Sequence, residues 1–328
     1  MNNTNWKEEI FENLNDNNID KLRDLLKNCD SKELKLNDNI SFLSIACMNE
    51  QINTVKLLIE KGCDVNEKNH LGKTMLHEMC RTGNIEIIKL LIKNGARLNE
   101  QSNTGKTELF YGIEPIKENS IEIIKILLKN GANVNLKDKN EGTLIHKLAG
   151  EQNKEQESKK LMRLLIVKGA KIDERDKYGY TPLMNICYFH DNLEMIKLLI
   201  KNGANPEKVD KQNKRAINLA CANNQTKIVN YLMRYEKDIN RQDIKGNTLL
   251  HEVCQNQYLK IDEIVELLIE KGIDTKIRNN DNETALEMMK NKNFQYNGNI
   301  KFLESYELFI EMQKTLKISK AKNTKRKI

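Results

Sequence analysis

The chain has 328 residues, of which 31% are charged and 5% aromatic, with 3 Pro and 7 Cys. Apolar side chains suffice for thin packed layers but not for one thick core, and dense clusters such as Ile87-Ile88 and Leu90-Leu91-Ile92 exclude a chain that stays disordered throughout. The net charge of +7 sits at the end: Lys314 to Ile328 carries seven bases and no acid, and the other 47 bases balance 47 acids, which excludes a broad basic groove for nucleic acid in the body.

In chain order, residues 1–37 hold two short apolar-periodic stretches (Ile10, Phe11, Leu14, then Leu22, Leu25, Leu26) and are expected to form N-terminal capping helices. Residues 38–279 are then read as seven copies of one unit. Its closing phrase returns as KLLIEKGCDVN, KLLIKNGARLN, KILLKNGANVN, RLLIVKGAKID, KLLIKNGANPE, NYLMRYEKDIN and ELLIEKGIDTK. The Gly of that phrase falls at Gly62, Gly95, Gly131, Gly169, Gly203 and Gly272, with Glu236 in its place once; the steps are 33, 36, 38, 34, 33 and 36. An opening phrase keeps the same register, at Thr74-Met75-Leu76-His77, Thr107, Thr143, Thr181-Pro182-Leu183, Thr248 and Thr284, with weaker copies at Ser41 and Arg215. Residues 280–313 keep one opening helix, depart at 294–298, and end in the amphipathic set Phe302, Leu303, Tyr306, Phe309 and Ile310, as a degenerate C-terminal cap. Residues 314–328 form a basic tail, expected to be disordered.

Each unit carries its own punctuation. Thr offers a side-chain oxygen to free helix N–H groups, and Pro182 stands at the first helical position, where its missing donor costs nothing. The second helix, as in Ile87, Ile88, Leu90, Leu91 and Ile92, is apolar around most of its circumference and must be covered by neighbouring units. A Gly ends it in the left-handed conformation, and a turn of the Asn69-His70-Leu71-Gly72 kind makes a hairpin finger before the next unit. Two helices about nine residues long are not stable alone, so stacking must supply the stability.

This pattern resembles the ankyrin repeat, with its D-x-x-G-x-T-P-L-H opening and L-L-x-x-G-A-x-V-N close. The resemblance covers nearly the whole chain and implies an all-α fold: a solenoid of stacked helix pairs with short β-hairpin turns.

The HEMC and HEVC stretches at His77 and His251 lack the second His of a zinc helix, and both fall where the resembled family uses His for hydrogen bonds between units. Cys47, Cys80, Cys187, Cys221 and Cys254 each lie six residues after the Thr-equivalent position, usually Ala in the family, and read as small buried filler; Cys63 likewise replaces an Ala, and Cys29 has no clear register. No phosphate loop, dinucleotide fingerprint or nucleophile–base arrangement emerges, so no catalytic residue, no metal site and no cofactor is expected.

In the resembled family, partners are held by the hairpin tips and the inner, concave face of the first helix. Here those positions are Lys177, Tyr178, Tyr180, Tyr188 and Phe189, joined by Lys211, Lys214 and Arg215 of the following unit; four of the 17 aromatic residues fall between 178 and 189. Equivalent positions such as Arg81 and Thr82, Gly150 and Glu151, or Ala222 and Asn223 are polar or small. A Tyr cluster on such a face reads as a binding hot spot for an acidic or mixed peptide surface, against the alternative of internal packing. The insertion at 151–160, EQNKEQESKK, reads as a solvated helix extension or a contact loop, and Pro115 is expected to shorten the first helix of the Thr107 unit.

The expected function is a non-catalytic scaffold or adaptor, a monomer that binds one or more proteins. The alternative is a regulatory or effector protein whose basic tail contacts nucleic acid or an anionic surface. No apolar run approaches the roughly 18 residues of a membrane span and no leader pattern opens the sequence, so the expected location is cytoplasmic, or nuclear through the tail.

Overall fold

The computed structural model describes residues 5–30, 33–37, 40–151, 154–189, 191–255, 261–291, 299–308 and 312. The 294–298 departure, Phe309, Ile310 and the basic tail lie outside the described residues. The chain divides into two compact units, residues 1–171 and 172–328.

The first unit begins with α1 (Asn5–Asn15) and α2 (Ile19–Leu25), whose Ile10, Leu14 and Leu22 are fully buried, as is Leu26 just beyond. A short antiparallel pair follows, β1 (Lys35–Asn37) with β2 (Ile40–Ser41). Four helix pairs come next: α3 (Phe42–Met48) with α4 (Ile52–Glu60), α5 (Met75–Thr82) with α6 (Ile85–Lys93), α7 (Glu108–Tyr111) with α8 (Ser120–Lys129), and α9 (Leu144–Ala149) with α10 (Glu155–Val167). First helices stack on first helices, α3 on α5, α5 on α7 and α7 on α9. Second helices stack likewise, α4 on α6 and α8 on α10. The covered faces are those the apolar pattern marks: Ile87, Ile88 and Leu91 of α6, and Ile123, Ile124 and Leu127 of α8, are wholly removed from water. Each such side chain contributes about 1.5–3 kcal/mol by burial.

Two local features bear on the sequence reading. Helix α7 has only four residues and ends at Tyr111, before Pro115 can interrupt it; Gly112 follows, and the Glu114–Pro115 peptide is cis. From Glu155 onward the polar insertion is the first part of α10, so the extra residues extend a helix, and Ser158 within it is buried.

The second unit repeats the scheme with α11 (Pro182–Phe189) and α12 (Leu193–Lys201), α13 (Ala216–Ala222) and α14 (Thr226–Leu232), α15 (Leu249–Cys254) and α16 (Asp262–Glu270), then α17 (Ala285–Asn291) and a helical stretch at 299–308. Here α11, α13, α15 and α17 form the row of first helices, and Cys187, Cys221 and Cys254 lie buried within it.

Hairpins zip to one another through backbone hydrogen bonds. In the first unit the Asn103 N–H donates to the Leu71 carbonyl at 2.9 Å and the Lys139 N–H to Thr104 at 3.0 Å; in the second, Ile244 donates to Gln212 at 3.1 Å and Asn280 to Lys245 at 2.9 Å. The close approach explains Gly179, at φ +87°, where a Cβ would lie 2.9 Å from the Lys211 nitrogen. At the helix ends the reason differs: Gly203 has φ +100° with open space around it, so only the left-handed backbone demands glycine there.

Candidate functional site

The face that carries the expected contact residues is built from hairpin tips and the C-terminal ends of first helices. In the hairpin 176–181 the Asp176 side chain accepts the N–H groups of Tyr178 and Tyr180, both at 2.9 Å, which fixes the two tyrosines in a rigid turn. Tyr188 and Phe189 lie at the end of α11, whose inward side is filled by Leu183, Ile186 and Cys187. The four rings form one run: Tyr178 to Tyr180 at 6.3 Å between centroids, Tyr180 to Tyr188 at 5.8 Å, and Tyr188 to Phe189 at 4.9 Å, edge to face. Tyr178 is 59% exposed, Tyr188 51% and Phe189 48%, so the run lines the surface.

Tyr180 is the half-buried member. Burial, with the nearby Asp210 carboxylate, pushes its hydroxyl up to about 12, and it stays a neutral hydrogen-bonding group. Lys177 holds its Nζ 4.9 Å above the Tyr178 ring. Lys211 is exposed at the next tip, and its N–H reaches the Tyr178 carbonyl at 3.4 Å.

Lys214 and Arg215 are not brought to this surface. Lys214 turns inward, with Nζ 2.6 Å from Glu252 Oε1 and 3.8 Å from Asp243 Oδ2, and both carboxylates are buried. Arg215 is only 1% exposed and pairs with Glu236, whose side chain is 3% exposed, with Glu207 at 3.8 Å. The expectation that Arg215 meets a partner is therefore corrected: it occupies the Thr position that opens a unit, which this fold buries whatever residue stands there. Its companion is the residue that replaces the closing Gly. Glu236 follows a 3-10 turn (Met233–Tyr235) in an extended conformation, φ −74°, rather than a left-handed one, and its carboxylate meets the guanidinium.

The first unit presents a different surface. Its inner charges are paired: Glu78 meets Lys73 at 3.1 Å and Arg81 at 2.9 Å, and Glu114 meets Lys106 at 2.8 Å and Lys147 at 3.5 Å. A groove of about 780 Å³ opens there, lined among others by Ile45, Met48 and Met75, with Met48 49% exposed. Sequence reasoning missed this groove. Met48 stands at the register position of Tyr188 in the Ser41 unit, so the generalisation that equivalent positions are polar or small fails there, and the same register would have found it.

His77 and His251 are committed to structure. His77 Nδ1 accepts the Thr74 N–H at 3.0 Å, which leaves Nε2 to donate to the Glu100 carbonyl at 2.9 Å; His251 repeats this with Thr248 at 3.2 Å and Glu283 at 3.0 Å. Both rings are nearly inaccessible, and burial holds both below their ordinary pKa. Burial likewise raises the thiols of Cys47, Cys80, Cys187, Cys221 and Cys254, which makes them poor nucleophiles. Among the described residues no helix is long and apolar enough to cross a membrane.

Comparison with known proteins accords with this architecture. The family model for ankyrin repeats (three copies) matches residues 13–102, 43–138, 109–210, 148–243 and 217–289. The chain is similar to the Ankyrin repeat and LEM domain-containing protein 1 homolog of Caenorhabditis elegans, 39% identical over 80 residues (24% of this chain, 11% of that protein). It is also similar to human Inversin, 28% identical over 127 residues (38% and 12%), and to Ankyrin repeat protein OPG189 of Variola virus, 29% identical over 164 residues (47% and 27%). The matched stretch thus spans between 11% and 27% of these relatives' lengths. Ankyrin repeats are in general protein–protein interaction modules. With matches that run from residue 13 to residue 289 and helix pairs stacked in register, the chain belongs to the ankyrin-repeat family.

Proposed function

We propose that this protein is a non-catalytic binding scaffold that holds a partner protein on the aromatic surface of its second unit. The observation that carries the reading is the run of Tyr178, Tyr180, Tyr188 and Phe189, three of whose rings are about half exposed on a rigid turn and helix end. Aromatic side chains on a fixed backbone give large contact area with little loss of conformational freedom, which is the composition of binding hot spots. Lys177 and Lys211 belong to the same surface; Lys214 and Arg215, both turned to internal carboxylates, take no part.

The test is affinity capture from the native cell with the full chain and with the Tyr178→Ala, Tyr188→Ala, Phe189→Ala triple variant. The partner retained by the parent chain is expected to be lost from the variant, with the thermal transition unmoved because these side chains are exposed. Retained binding at unchanged thermal stability ends the proposal.

A further inference from the structure

The hairpin tips of the two units differ in charge. In the first unit the paired tip positions are His70-Leu71, Asn103-Thr104 and Lys139-Asn140; in the second they are Lys177-Tyr178, Lys211-Gln212, Ile244-Lys245 and Asn280-Asp281. The second unit thus places one lysine on each of three successive tips, and the backbone bonds from Lys211 to Tyr178 and from Ile244 to Gln212 tie these tips into one continuous edge. Lys211 and Lys245 are exposed, and neither has a carboxylate partner among the described residues. The acids of the same hairpins point elsewhere: Asp176, Asp210 and Asp243 each accept backbone N–H groups of their own turn, and the last two are buried at the base. The outward charge of these three tips is therefore positive, although the fourth tip exposes Asp281 and the body as a whole is balanced. At its start the edge adjoins the ring run that leads from Tyr178 to Tyr188 and Phe189.

We propose that this edge takes an acidic, extended segment of a partner protein. Carboxylates of the segment meet Lys177, Lys211 and Lys245 in turn, and a bulky apolar side chain seats against Tyr188 and Phe189. The proposal rests on the binding-scaffold reading and adds the partner's chemistry to it. Charge complementarity selects an acidic occupant; the aromatic run at one end demands an apolar anchor, which fixes the direction of the segment. A nucleic acid is disfavoured because three lysines neutralise too few phosphates for firm binding.

The experiment selects a displayed library of random short peptides on the full chain, then measures one selected peptide by fluorescence anisotropy at low and high salt. Poly-L-glutamate, poly-L-lysine and single-stranded oligo-dT serve as competitors. The expected sequences combine Asp or Glu residues with one Trp, Phe or Leu. Poly-L-glutamate displaces the peptide and poly-L-lysine does not. Lys211→Glu with Lys245→Glu weakens binding about tenfold at low salt and flattens its salt dependence, as charge reversal at an exposed rim does. Neutral or basic selected sequences, no binder at all, displacement by oligo-dT, or a peptide indifferent to the lysine reversals each overturn the proposal. A peptide indifferent to the lysine reversals yet lost with Tyr188→Ala and Phe189→Ala overturns the acidic segment and leaves the scaffold reading standing. Indifference to both changes overturns the scaffold reading as well.

Discussion

Arg215 and Glu236 each break the unit's register, and they break it together. Thr becomes Arg where the unit opens, Gly becomes Glu where its second helix closes, and the two charges meet inside at 1% and 3% side-chain exposure. Without Glu236 the buried guanidinium keeps only the more distant, partly exposed Glu207, and removal of one partner of a buried pair costs about 3–5 kcal/mol. Glu236→Ala is therefore expected to lower the denaturation midpoint by an amount in that range. Arg215→Thr with Glu236→Gly, which restores the ordinary residues at both positions, is expected to recover most of the loss. Urea unfolding of the parent, of Arg215→Thr and Glu236→Gly singly, and of the double completes the cycle. A single Glu236→Ala that costs no more than a surface change, about 0.5 kcal/mol, refutes the coupling.

At the scale of the helix, the row of first helices makes the cysteines a test of stacking. Cys47, Cys80, Cys187, Cys221 and Cys254 are buried where the register expects small filler, whereas Cys29 and Cys63 are only partly covered. Thiol titration of the native chain is expected to label Cys29 and Cys63, slowly, because burial raises both, Cys63 to about 11; the other five are expected to react only after denaturant is added. Rapid native labelling of any of the five means the first helices do not stack as described. The helices, their caps and this cysteine row were legible because one residue, Thr or Gly, marks each boundary at a fixed distance. Several features were not. The left-handed hairpin positions at Glu141, Asn213 and Asn282 carry no Gly; Asn tolerates that backbone, and Glu141 carries no such mark. The inward turn of Arg215 was hidden because its exposure was read from the resembled family's contact surface, while the clue lay 21 residues away at Glu236. The aromatic run was legible as a cluster in sequence. That Tyr180 is half-buried while its three neighbours face outward, with the Asp210 carboxylate nearby, is a matter of packing that no local pattern encodes.

Across the whole molecule, opposite titrations act in each of the two units. Glu108 in the first is fully buried, accepts the Asn99 N–H at 3.1 Å, and is held above its ordinary value of 4.5 by burial; Glu252 in the second is raised by burial too, despite Lys214. At these two sites the folded state therefore binds more protons than the unfolded one above pH 4.5, and the stability these carboxyls contribute in acid is lost as pH rises through their folded values. His77 and His251 work the other way. Both are lowered from 6.5, so the unfolded state binds more protons, and the stability they contribute above pH 6.5 is lost as pH falls through their folded values. The two effects have opposite sign. Glu108→Gln keeps an acceptor for Asn99 and removes one falling contribution, so its urea midpoint is expected to climb more steeply with pH above 4.5 than that of the parent. His77→Gln removes one rising contribution and is expected to tilt the profile the opposite way, beneath an overall loss of about 1 kcal/mol for the broken cap. Each tenfold displacement of proton affinity is worth about 1.4 kcal/mol, within the reach of a midpoint series. Parallel profiles for parent and both variants would show that neither group titrates differently in the folded chain, and so that burial of the first helices is looser than the packed rows require.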